Sequence, residues 1–195
     1  MTISLTKGST LSLAKNAGLD KVVMGLGWDA AKSGGLMGRL FGGGGGGGAI
    51  DLDASVLVYD GTGAILDTVW FRQLRGMGGA IRHSGDNRTG DGDGDDETIS
   101  VDLGSLPANV VSLVFTVNSF SGQNFSAVDN AVCRLVDARD GKELCRYVLS
   151  EKGRHTGVFM AVLTRRSGSW EIRAIGETMS GRTVQDMARE AIRHI

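Results

Sequence analysis

Residues 50–71 read IDLDASVLVYDGTGAILDTVWF. Two runs rich in β-branched and aromatic residues, Ile50 to Tyr59 and Ile65 to Phe71, are separated by Asp60-Gly61-Thr62-Gly63. Glycine supplies the positive φ that a tight hairpin connection needs, so the stretch reads as two paired strands. Further strand candidates come in series downstream. Thr98 to Leu103 and Val110 to Phe120 follow, with Pro107 between them. Ala131 to Asp137 and Lys142 to Leu149 flank Arg139-Asp140-Gly141, and Val158 to Arg165 and Trp170 to Ile175 flank Ser167-Gly168-Ser169. Ser4 to Leu13 and Val22 to Trp28 add two strands upstream. About ten short strands exceed what one open sheet of this length holds, and they predict an all-β, two-layer β-sandwich.

The period changes at the end of the chain. Val184, Met187, Ala188, Ala191, Ile192 and Ile195 share one face of a helix, with Thr183 and Asp186 as a capping pair. This predicts a C-terminal amphipathic helix whose apolar face packs on the domain's own core. Between the upstream strands and residue 50 lies KSGGLMGRLFGGGGGGGA, residues 32–49, with glycine at every position from Gly42 to Gly48. Such a run has high conformational entropy and reads as a flexible insertion in a single domain covering 1–195.

Composition narrows the functional classes. Of 195 residues, 41% are hydrophobic and 22% charged, ordinary values for a globular chain, while 31 glycines against one proline fit a protein of many turns. The N-terminus has no signal-peptide pattern and no run is long enough to span a bilayer, so a cytoplasmic protein is expected. Cys133 and Cys145 have no histidine beside them and read as small buried hydrophobes. Basic residues are dispersed, which disfavours nucleic acid as a partner. G-x-S-x-G, G-x-x-x-x-G-K-[ST] and H-E-x-x-H are all missing, and His83, His155 and His194 are scattered, so no enzyme is expected.

Charge is concentrated in one place. Residues 83–97 read HSGDNRTGDGDGDDE, with Asp86, Asp91, Asp93, Asp95, Asp96 and Glu97 against Arg88 alone, a local charge of −5 in a chain of net charge −1. Interleaved glycines let the backbone curl so that several oxygens converge, and calcium accepts six to eight oxygen ligands in flexible geometry. Magnesium demands stricter octahedral geometry, and soft metals lack thiol or imidazole partners. The run does not fit an EF-hand, because Asp96 and Asp102 fall where that loop requires Gly and Glu. Upstream, Asp29 ends a strand and Asp51 and Asp53 open another two residues apart, which suits either a solvated edge or a ligand set.

These pieces, in this order, resemble the TerD family of tellurite-resistance and stress-response proteins. The resemblance covers nearly the whole chain: Ser4-Leu-Thr-Lys-Gly8, Gly25-Leu-Gly-Trp-Asp29, Asp51-Leu-Asp-Ala-Ser55, His83-Ser-Gly-Asp-Asn-Arg-Thr-Gly90, Gly94-Asp-Asp-Glu97 and Phe115-Thr-Val-Asn-Ser-Phe120. It implies a calcium-binding β-sandwich without established catalytic activity. Carried over position by position, it implies Asp29, Asp51, Asp53, Asp86, Asn87, Asp95, Asp96 and Glu97 as ligands, for more than one calcium ion. Asp91 and Asp93 fall between the matched blocks, and Trp28 and Phe120 are expected to wall the site or fill core. The function expected is a calcium-dependent interaction module, with protein partners in a stress-response complex that could assemble at the inner membrane face. A metal-dependent phosphoester hydrolase and a purely structural calcium site are the alternatives.

Overall fold

The computed structural model describes residues 2–16, 18–30, 51–87, 94–149 and 153–195. The 32–49 insertion and the stretch containing Asp91 and Asp93 lie outside the described residues, as does the side chain of Asp29. Strands run over Ile3–Leu5 (β1), Thr10–Ser12 (β2), Lys21–Ala30 (β3), Leu52–Tyr59 (β4), Ile65–Val69 (β5), Arg75–Gly76 (β6) and Ile81–His83 (β7). They continue over Glu97–Asp102 (β8), Ser112–Ser119 (β9), Val128–Asp137 (β10), Glu143–Val148 (β11), Gly157–Arg166 (β12) and Ser169–Met179 (β13), and a helix over Val184–Ala191 (α1) follows.

Two sheets face each other, as the alternation predicts. One is ordered β1-β11-β10-β3-β8-β7-β6 and the other β2-β13-β12-β9-β4-β5. The first strand expected, Ser4 to Leu13, is instead two. The chain turns at Thr6 to Ser9, where the Ser9 amide donates to the Thr6 carbonyl at 2.9 Å and Gly8 adopts φ 81°, so β1 joins one sheet and β2 the other. β6 and β7 are also additional to the expected set, because two- and three-residue strands in a Gly-rich stretch are too short to show an alternation. The hairpins form where expected. Ser167 and Gly168 connect β12 to β13 with φ of 47° and 80°, the positive pair a two-residue hairpin requires.

The central strands β4 and β9 are buried at every residue on both faces. Leu52, Ala54, Val56 and Val58 of β4 point between the sheets, into a core with Phe115, Val117, Met160 and Leu163. Leu57 and Tyr59 point outward and are covered by α1, whose Val184, Met187 and Ala191 close a second cluster with Val114, Phe159 and Ile175. The helix thus packs on its own domain, and each fully buried Val or Met adds about 1.5–3 kcal/mol. Its start is held by Asp186 Oδ2, which accepts from the Arg182 and Thr183 amides at 2.9 and 3.0 Å. Cys133 and Cys145 are free and buried; they pair across β10 and β11 with Tyr147 and Leu135 and not with each other. Burial pushes both thiols up, Cys145 to about 12, which leaves neither as a nucleophile near neutral pH.

Candidate metal centre

Strand alternation alone places Asp53 on the outer face of β4, the same face that carries Leu57 and Tyr59. α1 covers the apolar end of that face, and the polar end lies under the 83–87 segment and the chain around Arg182. Asp53 is only 2% exposed. One carboxylate oxygen each from Asp51, Asp53 and Asp86 lies within 4.8 Å of the others. Asn118, directly across the β4–β9 ladder, donates from Nδ2 to Asp53 Oδ2 at 3.3 Å and to the Arg182 carbonyl at 2.7 Å. Its Oδ1 is buried and has no hydrogen-bond partner among the described residues, although the side chain is 1% exposed. An orphaned buried acceptor beside three converging carboxylates is a costly arrangement that a hard cation would relieve.

Electrostatics agree with the geometry. Burial, followed by repulsion from Glu97, Asp51 and Asp86, pushes the Asp53 carboxyl up to about 8, and Arg72 opposes the shift. Without a cation Asp53 therefore holds a proton at neutral pH. The Arg72 guanidinium lies 5.4, 5.3 and 5.9 Å from the ring centroids of Trp70, Phe71 and Phe120. Phe120 is half-buried and edge-on to Phe71 at 5.5 Å, while Trp28 is core.

The other expected ligands form a second tier. Glu97 is fully buried, and its Oε2 and Oε1 accept from the Ala54 and Asn87 amides at 2.7 and 3.0 Å. Asp96 accepts from the Trp28 amide through Oδ2 at 2.8 Å and from Asn87 Nδ2 through Oδ1 at 3.2 Å. Asp95 is turned away, with both oxygens on Arg134 at 2.7 and 3.0 Å. Of the eight residues implied as ligands, Asp51, Asp53 and Asp86 are thus brought together, while Asn87, Asp96 and Glu97 brace the loop behind them. His83 braces it too. Its Nδ1 accepts from the Gly85 amide at 3.0 Å, which puts the ring proton on Nε2, 3.0 Å from the Ala54 carbonyl and 3.4 Å from Glu97 Oε2. With both ring nitrogens engaged, His83 is not placed to activate a nucleophile, and exposed Ser84 points away from it.

Sequence reading missed Asn118 and Arg72. Asn118 had a signal: an amide is a poor β-former, and one inside a strand asks for a role. Which aspartate it faces depends on the β4–β9 register, which the sequence does not display.

A two-sheet sandwich carrying a carboxylate cluster at the polar end of the outer face of β4 defines a class of non-EF-hand acidic-site β proteins. A family model described as the TerD domain matches residues 1–190, and the chain belongs to the TerD family. It is 51% identical over 191 residues to the tellurium resistance protein TerZ of Serratia marcescens, covering 97% of both chains. It is 42% identical over 190 residues to general stress protein 16U of Bacillus subtilis, covering 93% of each. Among solved structures, a homologue of the telluride resistance protein TerD from Streptomyces coelicolor superposes with a TM-score of 0.69 over 88% of this chain and 96% of its own, at 22% identity, a likeness of fold. Both of these relatives, and the tellurium resistance protein TerD of Alcaligenes, carry tellurium-resistance or general-stress names and no enzymatic ones. No helix among the described residues is long and apolar enough to cross a membrane.

Proposed function

We propose that this chain is a cytoplasmic calcium-binding protein of the tellurium and general stress response, in which the ion orders the 86–97 loop and the ordered loop engages a protein partner. The observation that carries the reading is the buried Asp53 with Asp51 and Asp86 within 4.8 Å and the orphaned Asn118 oxygen beside them. A divalent cation offsets the burial and the mutual repulsion that otherwise keep Asp53 protonated, and so couples ion uptake to the conformation of the loop. Calcium suits the set better than magnesium, because three carboxylates, an amide oxygen and water make an irregular oxygen cage. The number of carboxylates in the matched blocks leads us to expect more than one ion.

The role fits the names of the relatives as a stress-response component and not as a binder of the tellurium oxyanion itself. An anion approaching this cluster without a bridging cation is repelled. We read the protein as an interaction module and not an enzyme, working with partners of a stress-response complex that could gather at the inner membrane face. Calorimetric titration of the chelator-stripped protein with calcium, with magnesium as competitor, tests the site. Saturable heat that disappears in Asp51→Asn and Asp86→Asn supports it. No heat and no change in melting temperature would discard it. Hydrolysis of a generic phosphoester, lost in the same variants, would replace the interaction module by the hydrolase alternative.

A further inference from the structure

Asp95 sits in the most acidic stretch of the chain, yet its surroundings are those of a structural ion pair. Arg134 on β10 stands directly opposite Gly25 of β3, and its guanidinium reaches over that glycine to hold both Asp95 oxygens, at 2.7 and 3.0 Å. Glu143 ties the same arginine to its cross-strand neighbour Arg146, at 3.4 and 2.6 Å respectively. The loop lies flat against β3 at this point. The Asp96 amide donates to the Leu26 carbonyl at 2.8 Å, and the Trp28 amide returns a bond to Asp96 Oδ2 at 2.8 Å. A side chain on the strand would forbid this. A Cβ added at Gly25 would land on the Asp95 carboxylate, and one at Gly27 would stand 2.6 Å from the Gly94 carbonyl oxygen. Neither glycine has positive φ, so the need for glycine is one of space and not of backbone conformation.

We infer that Asp95 is a positioning residue and not an ion ligand: with Arg134 it forms a latch that clamps the acidic loop onto a track made by Gly25 and Gly27. From the latch the order passes along the loop. Asp96 and Glu97 hold the Asn87 side chain and amide at 3.2 and 3.0 Å, and Asn87 carries Asp86 into the carboxylate cluster. The two blocks Gly25-Leu-Gly and Gly94-Asp-Asp are thus the two halves of one joint. The effect on ion binding rests on the calcium reading above; the latch itself does not.

The test uses the full chain with Asp95→Asn, Arg134→Gln, their double variant and Gly25→Ala. Each is titrated with calcium and followed by hydrogen exchange at the Asp96 and Trp28 amides. The latch predicts that all three single variants weaken calcium binding by about tenfold without changing its stoichiometry, as residues that orient ligands do. It also predicts that the double variant is no worse than either of its singles, since both remove the same contact. Both amides should exchange faster in every variant. Loss of an ion from the stoichiometry in Asp95→Asn, with Arg134→Gln binding as well as or better than the parent, would make Asp95 a ligand and overturn the latch. If the parent binds no calcium, the site reading falls on its own. The latch is then judged by exchange alone, and wild-type rates in all three singles overturn it.

Discussion

The outer face of β4 has two ends that obey opposite rules. At one end Leu57 and Tyr59 are sealed under α1, and even the Tyr59 hydroxyl is satisfied, donating to the Ala188 carbonyl at 3.0 Å. At the other end Asp53 and Ser55 face Asn118 and Thr116 across the ladder, equally buried, and Ser55 Oγ, Thr116 Oγ1 and Asn118 Oδ1 have no partner among the described residues. The same two strands therefore carry a finished core and an unfinished polar site a few residues apart. Burying polar groups without partners costs stability, so a fold retains such an end only where something else completes it.

The sharpest way to break this comparison is to neutralise the polar end. Asp53→Asn keeps the shape and removes the buried charge. We expect it to weaken calcium binding by at least about a hundredfold while raising the melting temperature of the chelated protein at pH 8 by roughly 2–4 °C, the effect of about 1 kcal/mol at this chain length. Calorimetry and thermal unfolding of the same preparation read both. A variant that loses binding and stability together would mean that Asp53 is ordinary core. The converse change belongs at the apolar end. Met187→Ala deletes a fully buried side chain beneath α1 and should cost about 2–4 kcal/mol in denaturant unfolding, with the calcium dissociation constant unchanged within about twofold. A large shift in calcium affinity there would join two ends that the geometry keeps separate.

Legibility in the sequence follows the same division. The sandwich and its hairpins could be read because the alternation of apolar residues and the Gly-containing turns are local signals, as at Asp60 to Gly63 and Ser167-Gly168. α1 was legible for the same reason. The break at Thr6 to Ser9 was not, since which sheet a three-residue strand joins is decided by long-range pairing: Ile3 with Cys145 and Leu11 with Ile172. In the site, the residue types were legible but their tiers were not. Asp95 and Asp53 are both aspartates beside glycine or β-rich sequence, and only the register that sets Arg134 opposite Gly25 and Asn118 opposite Asp53 gives them different work.

The titration of Asp53 sharpens the comparison on a smaller scale. With its carboxyl pushed up from 3.8 to about 8, the folded apo protein binds a proton that the unfolded chain has already released. The stabilisation from this group is complete below the unfolded value and is lost as pH rises through the folded one. Relative to Asp53→Asn, the chelated protein should accordingly lose stability from about pH 4 up to about pH 8 and level off above it. Calcium must displace the same proton, so its dissociation constant should rise by up to about tenfold for each pH unit below 8 and level off above it. Paired titrations at pH 6.5, 7.5 and 8.5 check this, and a flat profile would mean that the ion binds elsewhere.

Arg72 should give the smallest effect and the most specific one. Its guanidinium opposes the rise in the Asp53 pKa, so in the apo protein it acts as a partial counter-charge, held near the cluster by Trp70, Phe71 and Phe120. A bound cation repels it. Arg72→Gln should then tighten calcium binding by about two- to fivefold at low ionic strength, the size of one partly solvated charge interaction, and the gain should shrink as salt screens it. The substitution also removes a cation from the faces of three rings, which costs about 0.5–1 kcal/mol in an exposed setting. Tighter binding in a slightly less stable protein is the pairing expected of a counter-charge. Weaker binding at every salt concentration would instead make Arg72 part of the scaffold that shapes the cage.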